Sequence, residues 1–319
     1  MADLRRQYLA ATVPDSLAGE RVDRVLAEVF ADFSRSRLQQ WVKDGLCTVD
    51  GRVARNKDRV AGGEQLEVVA EFEDQVPARP EPIPLDVLFE DDQLIVVNKR
   101  AGLVVHPAAG NRDGTLQNAL LHHDLGLREL PRAGIVHRLD KDTSGLLVIA
   151  RTPAAHRHLV DELQERNIHR EYRAVVVGAL VAGGRVDAPI GRHPVHRTRM
   201  AVTPTGKPAA TEYRVLERFR AHTVLQLKLE SGRTHQIRVH MAHIHYPIVG
   251  DPLYGGRLRI PAGASDALRD ALRGFRRQAL HACRLGLAHP KTGEWLEWEA
   301  PVPADMAGLI AALRTDAET

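Results

Sequence analysis

Four prolines within eight residues, Pro77, Pro80, Pro82 and Pro84, divide this chain. Each fixes φ and removes a backbone donor, so neither a helix nor a central strand runs through them. Residues 76–84 therefore read as a stiff, extended linker. A chain of 319 residues is also long for one core. Two domains of unequal size are expected, over 14–75 and 85–319, with a loose tail over 1–13.

The two parts differ in pattern. In the smaller one, Val22, Val25, Leu26, Val29 and Phe30 recur at i, i+3, i+4, i+7 and i+8, one face of a helix. Ser34 or Ser36 offers a cap for a second helix carrying Leu38, Trp41 and Val42, which Gly45 ends. Residues 46–49, the pair Asp50-Gly51 and residues 52–53 read as strand, tight turn, strand. Gly62-Gly63 turns the chain again before Leu66, Val68 and Val69. In the larger part, strands are expected at 85–89, 94–97, 146–150 and 172–177, and a long hairpin at 211–220 and 223–230. Helices are expected around Leu116 and after Thr152-Pro153, and a last one after Pro303. The strands outnumber the helices and do not alternate with them in regular βαβ units. The fold class is therefore α+β, with a mixed, largely antiparallel sheet.

Composition excludes some classes of function. The longest apolar runs are strand-sized, far short of a membrane span, and no apolar segment opens the chain. A soluble, cytoplasmic protein is expected, with Cys47 and Cys283 as free thiols. Net charge is only +3, but residues 192–259 hold 12 Lys/Arg against 4 Asp/Glu and residues 35–59 hold 7 against 3. Two basic patches on a nearly neutral chain suit a polyanion lying across two sites. Arg35, Arg37, Lys43 and Arg52 belong to the first patch, flanking the second helix and the Asp50-Gly51 turn.

Two polar clusters could carry chemistry. The first is the run from Gly134 to Gly145, Gly-Ile-Val-His-Arg-Leu-Asp-Lys-Asp-Thr-Ser-Gly, which feeds directly into an apolar strand. That position puts Asp140 near the interior, where a carboxylate needs a cation to stay ionised. Arg138 or an arginine from elsewhere could supply it. From the residues alone the loop could be structural, a glycosidase-like carboxylate pair, or an Asp-x-Asp phosphoryl site. The last suffers because the apolar strand follows the pair instead of preceding it. The second cluster runs from Ser231 to Met241, Ser-Gly-Arg-Thr-His-Gln-Ile-Arg-Val-His-Met. Thr234 could cap a short helix whose N-terminus, with Arg233, suits a phosphate. His235, His240, His243 and His245 do not have zinc-ligand spacing.

The small segment resembles the RNA-binding domain first described in ribosomal protein S-four. The likeness rests on Ser34-Arg35-Ser36-Arg37-Leu38-Gln39-Gln40-Trp41-Val42, on Gly45, and on Val49-Asp50-Gly51-Arg52. The two polar clusters together resemble motifs of the RluA/RluD family of RNA pseudouridine synthases. Arg170-Glu171-Tyr172, Val249-Gly250-Asp251-Pro252, Tyr254-Gly255 and Leu280-His281-Ala282 match as well. Arg192-His193-Pro194 and Met200-Ala201-Val202 point to the RluD branch.

The resemblance implies a pseudouridine-synthase catalytic domain with an S-four-like domain before it. It implies that a uridine in RNA has its N–C1′ bond replaced by a C5–C1′ bond, without cofactor or metal. Asp140 would act on the ribose, Tyr172 would stack on the base, and Arg233 would keep Asp140 charged. Arg138 would fill the space of the flipped base, and His137, Gln236 and Arg238 would contact RNA. The branch points to large-subunit ribosomal RNA, at uridines of the stem-loop called helix sixty-nine, met as RNA or as an assembly particle by a monomeric enzyme. A catalytically silent RNA-binding protein, or a sibling synthase with another target, is the alternative. Residues 257–276 receive no function.

Overall fold

The computed structural model describes residues 4–31, 33, 35–73, 78–107, 111–196 and 198–318. The chain forms two compact units, 1–77 and 78–319. Ser34 and Pro77, and the side chain of Ser36, lie outside the described residues.

The first unit contains β1 (Leu4–Thr12), α1 (Val22–Val29), α2 (Arg35–Lys43), β2 (Cys47–Val49), β3 (Arg52–Val53) and β4 (Gln65–Glu73). The apolar face of α1 meets Leu38, Trp41 and Val42 of α2 and Leu66 and Val68 of β4 in one core. Asp50 and Gly51 both take positive φ, 47° and 77°, as a two-residue hairpin turn demands. The sheet order is β1-β4-β2-β3.

Residues 4–12, expected within a loose tail over 1–13, form a strand. β1 pairs antiparallel with β4 from Leu4↔Glu73 to Thr12↔Gln65. Backbone hydrogen bonds hold it and leave no mark on a side-chain pattern. Tyr8 is exposed, and Leu9 only partly covers the core.

The second unit begins earlier than expected. Residues 78–84 form neither helix nor strand, as their prolines require, but they are packed onto this unit. Asn118 donates to the Arg79 carbonyl at 2.8 Å, Glu81 accepts from the Gly114 N–H at 3.0 Å, and Ile83 packs against the core. Proline forbids regular structure without forbidding packing, so this segment is not a spacer.

Its first half runs β5 (Val87–Glu90), β6 (Leu94–Lys99), α3 (Leu116–His123), β7 (Ser144–Ala150), α4 (Pro153–Glu165) and β8 (His169–Val177). A second group follows: β9 (Gly184–Asp187), β10 (Ile190–Arg192), β11 (Met200–Val202), β12 (Ala210–Arg218) and β13 (His222–Leu229). The chain ends with α5 (Gln236–His243), α6 (Asp266–Gly274), β14 (Leu280–Ala288), β15 (Trp295–Glu299) and α7 (Ala304–Ala317). One sheet of order β5-β6-β7-β14-β8-β13-β12-β9, with β15 beside β14, forms the backbone of the unit. Among these strands only β7 and β14 pair in parallel. The fold is therefore α+β with a mixed, largely antiparallel sheet. Ala155 and Leu159 of α4 and Trp298 of β15 cover one face around β7, and the larger core lies on the other. Within 257–276, α6 is capped by Ser265, buries Leu268 and Leu272, and packs on α7. No helix among the described residues is long and apolar enough to cross a membrane.

Candidate active site

The backbone places Asp140 before any side chain is considered. Arg132, Ala133 and Gly134 all take left-handed φ, 52°, 54° and 78°, and fold the chain back toward β7. A Cβ on Gly134 would lie 2.0 Å from the Ala150 carbonyl oxygen, so only glycine fits there. Gly145 is as constrained: at φ 116° its Cβ would lie 2.2 Å from the Ala282 oxygen, where β7 meets β14. Between these two close approaches, residues 135–143 form the loop that carries Asp140. Lys99, buried at the end of β6, ties the loop down. Its ammonium donates to the carbonyls of Arg100, Leu103 and Lys141, each at 2.9 Å. Burial pushes Lys99 down to about 7, against the pull of Asp142 and Asp140.

The cation on Asp140 comes from elsewhere in sequence, and it is Arg238. Arg238 Nη1 donates to Asp140 Oδ2 at 2.8 Å across 98 residues of sequence. The same guanidinium grips Asp251 through Nε at 2.7 Å and Nη2 at 2.9 Å. The Asp251 side chain is 0% exposed and also accepts the N–H groups of Leu253 and Tyr254. Arg238 also lies over the Tyr254 ring, 5.1 Å from its centroid. Burial opposes its charge, but Asp251 and Asp140 outweigh that and hold Arg238 firmly protonated.

A second path reaches Asp140 through His235. The Tyr254 hydroxyl accepts from the Met200 N–H at 2.9 Å and lies 2.8 Å from His235 Nδ1. His235 Nε2 lies 3.8 Å from Asp140 Oδ1, so the imidazole stands between the Tyr254 hydroxyl and the carboxylate. Burial lowers His235 below the usual histidine value, although Asp140 pulls the other way.

These contacts correct several expectations. Arg233 does not hold Asp140; it sits in an exposed turn, and its Nε donates to the Pro208 carbonyl at 3.2 Å. Arg238 can reach because it projects from the buried first turn of α5. Thr234 is not the cap of that helix. His235 stands at its N-cap, in the left-handed region at φ 57°, without a side-chain cap. The Gln236 carboxamide braces the turn instead. It accepts from the Ser231 hydroxyl and the Arg233 N–H and donates to the Ala210 carbonyl and Thr211. Gln236 thus spends its carboxamide on hydrogen bonds within the protein. His240 spends both ring nitrogens on Thr211 and the Ala188 carbonyl.

Asp140, Tyr172, Arg138, His137 and Arg238 line one cavity of about 540 Å³, with Arg233 and Gln236 in its wall. That volume suits one nucleoside. Tyr172 is buried on β8, and burial with the nearby Asp140 pushes its phenol up to about 12, against Arg170. It is a neutral ring in the free protein and not a preformed base. Arg138 is exposed, 3.4 Å from His106 Nε2, and does not pair with Asp140. His137 accepts the Val148 N–H at 3.2 Å, and burial with Arg170 pushes it down to about 3. It is a neutral brace between the loop and β7.

In the first unit, Arg35 is exposed and pairs with buried Asp23 at 3.1 Å, and Arg37 lies over the Trp41 ring at 5.9 Å. Lys43 and Arg52 are exposed. Asp251 and Tyr254, motif positions to which the sequence gives no role, and Lys99, which it does not single out, are further parts of the site. A lysine ending an apolar strand in a lysine-poor chain is the signal for the last.

Residues 93–243 match the family model described as RNA pseudouridylate synthase, and residues 20–66 match the S4 domain. A Xanthomonas campestris protein named ribosomal large subunit pseudouridine synthase D is 59% identical over 96% of this chain and 92% of its own. The Escherichia coli K12 protein of the same name is 55% identical over 98% of this chain and 97% of its own. The solved structure titled human RNA pseudouridylate synthase domain containing 4 superposes with a TM-score of 0.56 at 25% identity. It covers 72% of this chain and 92% of that one.

Proposed function

The chain belongs to the RluA/RluD family of RNA pseudouridine synthases, in its RluD branch, and from that premise we propose that it isomerises uridines of large-subunit (23S) ribosomal RNA at Asp140. The observation that carries the assignment of Asp140 is its pairing with Arg238, itself locked by Asp251, on the wall of a nucleoside-sized cavity beside Tyr172.

A uridine must leave its stack to enter that cavity, at a cost of a few kcal/mol that is least in a loop. Arg138, exposed at the cavity, is positioned to take the place of the departed base. Tyr172 offers its ring to the flipped uracil. Arg238 holds the Asp140 carboxylate in place at the cavity, as either attack on C1′ or removal of the 2′ proton requires. The N–C1′ bond breaks, the base turns, C5 bonds to C1′, and the C5 proton is lost. The branch favours the helix sixty-nine loop as target, met as free RNA or in an assembly particle by a cytoplasmic monomer. The first unit would hold flanking phosphates through Arg35, Arg37, Lys43 and Arg52.

The test uses RNA carrying tritium at uridine C5. Wild-type protein should release the label into water without freeing uracil. Asp140→Asn should bind the RNA and release none. Free uracil would mean a glycosidase, and label release by Asp140→Asn would remove Asp140 from the chemistry.

A further inference from the structure

One charged group of the cavity has no part in this scheme. Arg170, near the start of β8, is only 7% exposed and lines the cavity. Its Nε is buried with no hydrogen-bond partner among the described residues. The two carboxylates in the cavity wall are engaged by other arginines, Asp140 by Arg238 and Glu230 by Arg185. The side chains whose electrostatics Arg170 affects are the neutral phenol of Tyr172 and the neutral imidazole of His137. Gly232 leaves space for it: a Cβ there would lie 3.1 Å from Arg170 Nη1. Burial opposes its charge, yet a guanidinium stays protonated at neutral pH. A buried cation without a counter-ion is costly unless a ligand supplies the missing charge.

We propose that Arg170 binds the uracil base and takes up the negative charge the base carries while detached from the ribose. This rests on the reaction proposed above. When the N1–C1′ bond breaks, its electron pair stays on N1, and the uracil is an anion with charge spread onto O2 and O4. The pair that forms the C5–C1′ bond comes from that anion, after which the C5 proton is lost and N1 is protonated. Charge on the base thus appears and disappears inside the cavity, where a preorganised donor has the largest effect. Residues 170 and 172 are two apart on one strand and share a face, so Arg170 stands beside the ring that meets the base. A backbone phosphate keeps to the rim, where the exposed Arg138 and Arg233 are found.

Arg170→Gln and Arg170→Lys in the full chain decide this, on a stem-loop RNA with one target uridine and on the same RNA with 5-fluorouridine. Affinity and single-turnover consumption of the nucleotide are measured separately. Arg170→Gln should slow uridine consumption about 100-fold, with affinity and its salt dependence nearly unchanged. Arg170→Lys, which keeps the charge, should recover part of the rate and carries the test if the glutamine variant does not fold. The defect of Arg170→Gln should shrink with 5-fluorouridine, whose base leaves more readily as an anion. Equal slowing on both RNAs would make Arg170 structural. Weaker binding with a flatter salt dependence and an intact rate would make it a phosphate anchor. Either result overturns the inference. A wild type that leaves the uridine unchanged would overturn the reaction itself.

Discussion

At the scale of residues, the site is one arginine held between two carboxylates, and the two arginines of the second cluster have separate tasks. Removing Arg238 leaves Asp140 and Asp251 facing each other without a cation. Arg238→Ala should therefore cost roughly 3 kcal/mol of stability and remove activity. Arg233→Ala, which removes one exposed hydrogen bond, should change stability by less than about 0.5 kcal/mol. Denaturant melts and single-turnover rates of the two variants compare these directly. Equal effects would contradict the Asp140–Arg238–Asp251 chain. The residues alone marked the Asp140 loop as unusual, a charged run entering an apolar strand, but left it open between a structural and a chemical role; only the family resemblance singled out Asp140. Sequence could not separate Arg233 from Arg238. Both lie in one short cluster, and the choice between them depends on a hydrogen bond spanning 98 residues.

At the scale of elements, backbone geometry decides more than propensity. Gly134 has both a positive φ and no room for a Cβ, so Gly134→Ala should cost about 2–3 kcal/mol and displace the Asp140 loop. Calorimetry beside rate measurement would show both effects together, and a fully active, fully stable variant would deny that the turn sets the loop. Removing residues 1–12 should lower the stability of the first unit by about 2–4 kcal/mol, because β4 then has no backbone partner along that edge. An unchanged melt would return that segment to the tail the sequence suggested. The helices α1 and α2 and the hairpin β12–β13 were legible because one face of each is apolar at its own period. β14 was not, since His281, Arg284 and Gly286 interrupt a strand set between two others. α6 offered only Leu268 and Leu272 among charged residues, and β1 is held by its backbone.

At the scale of the whole molecule, charge links stability to pH and binding to salt. Burial holds His137 down to about 3 and His222 down to about 4, below the ordinary 6.5. The unfolded chain takes up protons first as pH falls below 6.5, so stability is fullest above that value and declines toward pH 4. The limiting slope is about 1.4 kcal/mol per pH unit for each such histidine. Urea melts at pH 7, 6 and 5 should show the decline, and a flat profile would contradict it. On the first unit, Lys43→Ala with Arg52→Ala should flatten the salt dependence of RNA binding, lowering the slope by about 1 for each phosphate no longer neutralised. Arg35→Ala would be a less clean probe, because Arg35 also pairs with buried Asp23. The most direct test of the central claim is a map of pseudouridine in large-subunit RNA from a strain lacking this gene, complemented with wild type or with Asp140→Asn. Sites in the helix sixty-nine loop should disappear on deletion and return only with the wild type. Unchanged sites throughout the ribosomal RNA, or restoration by Asp140→Asn, would contradict the claim.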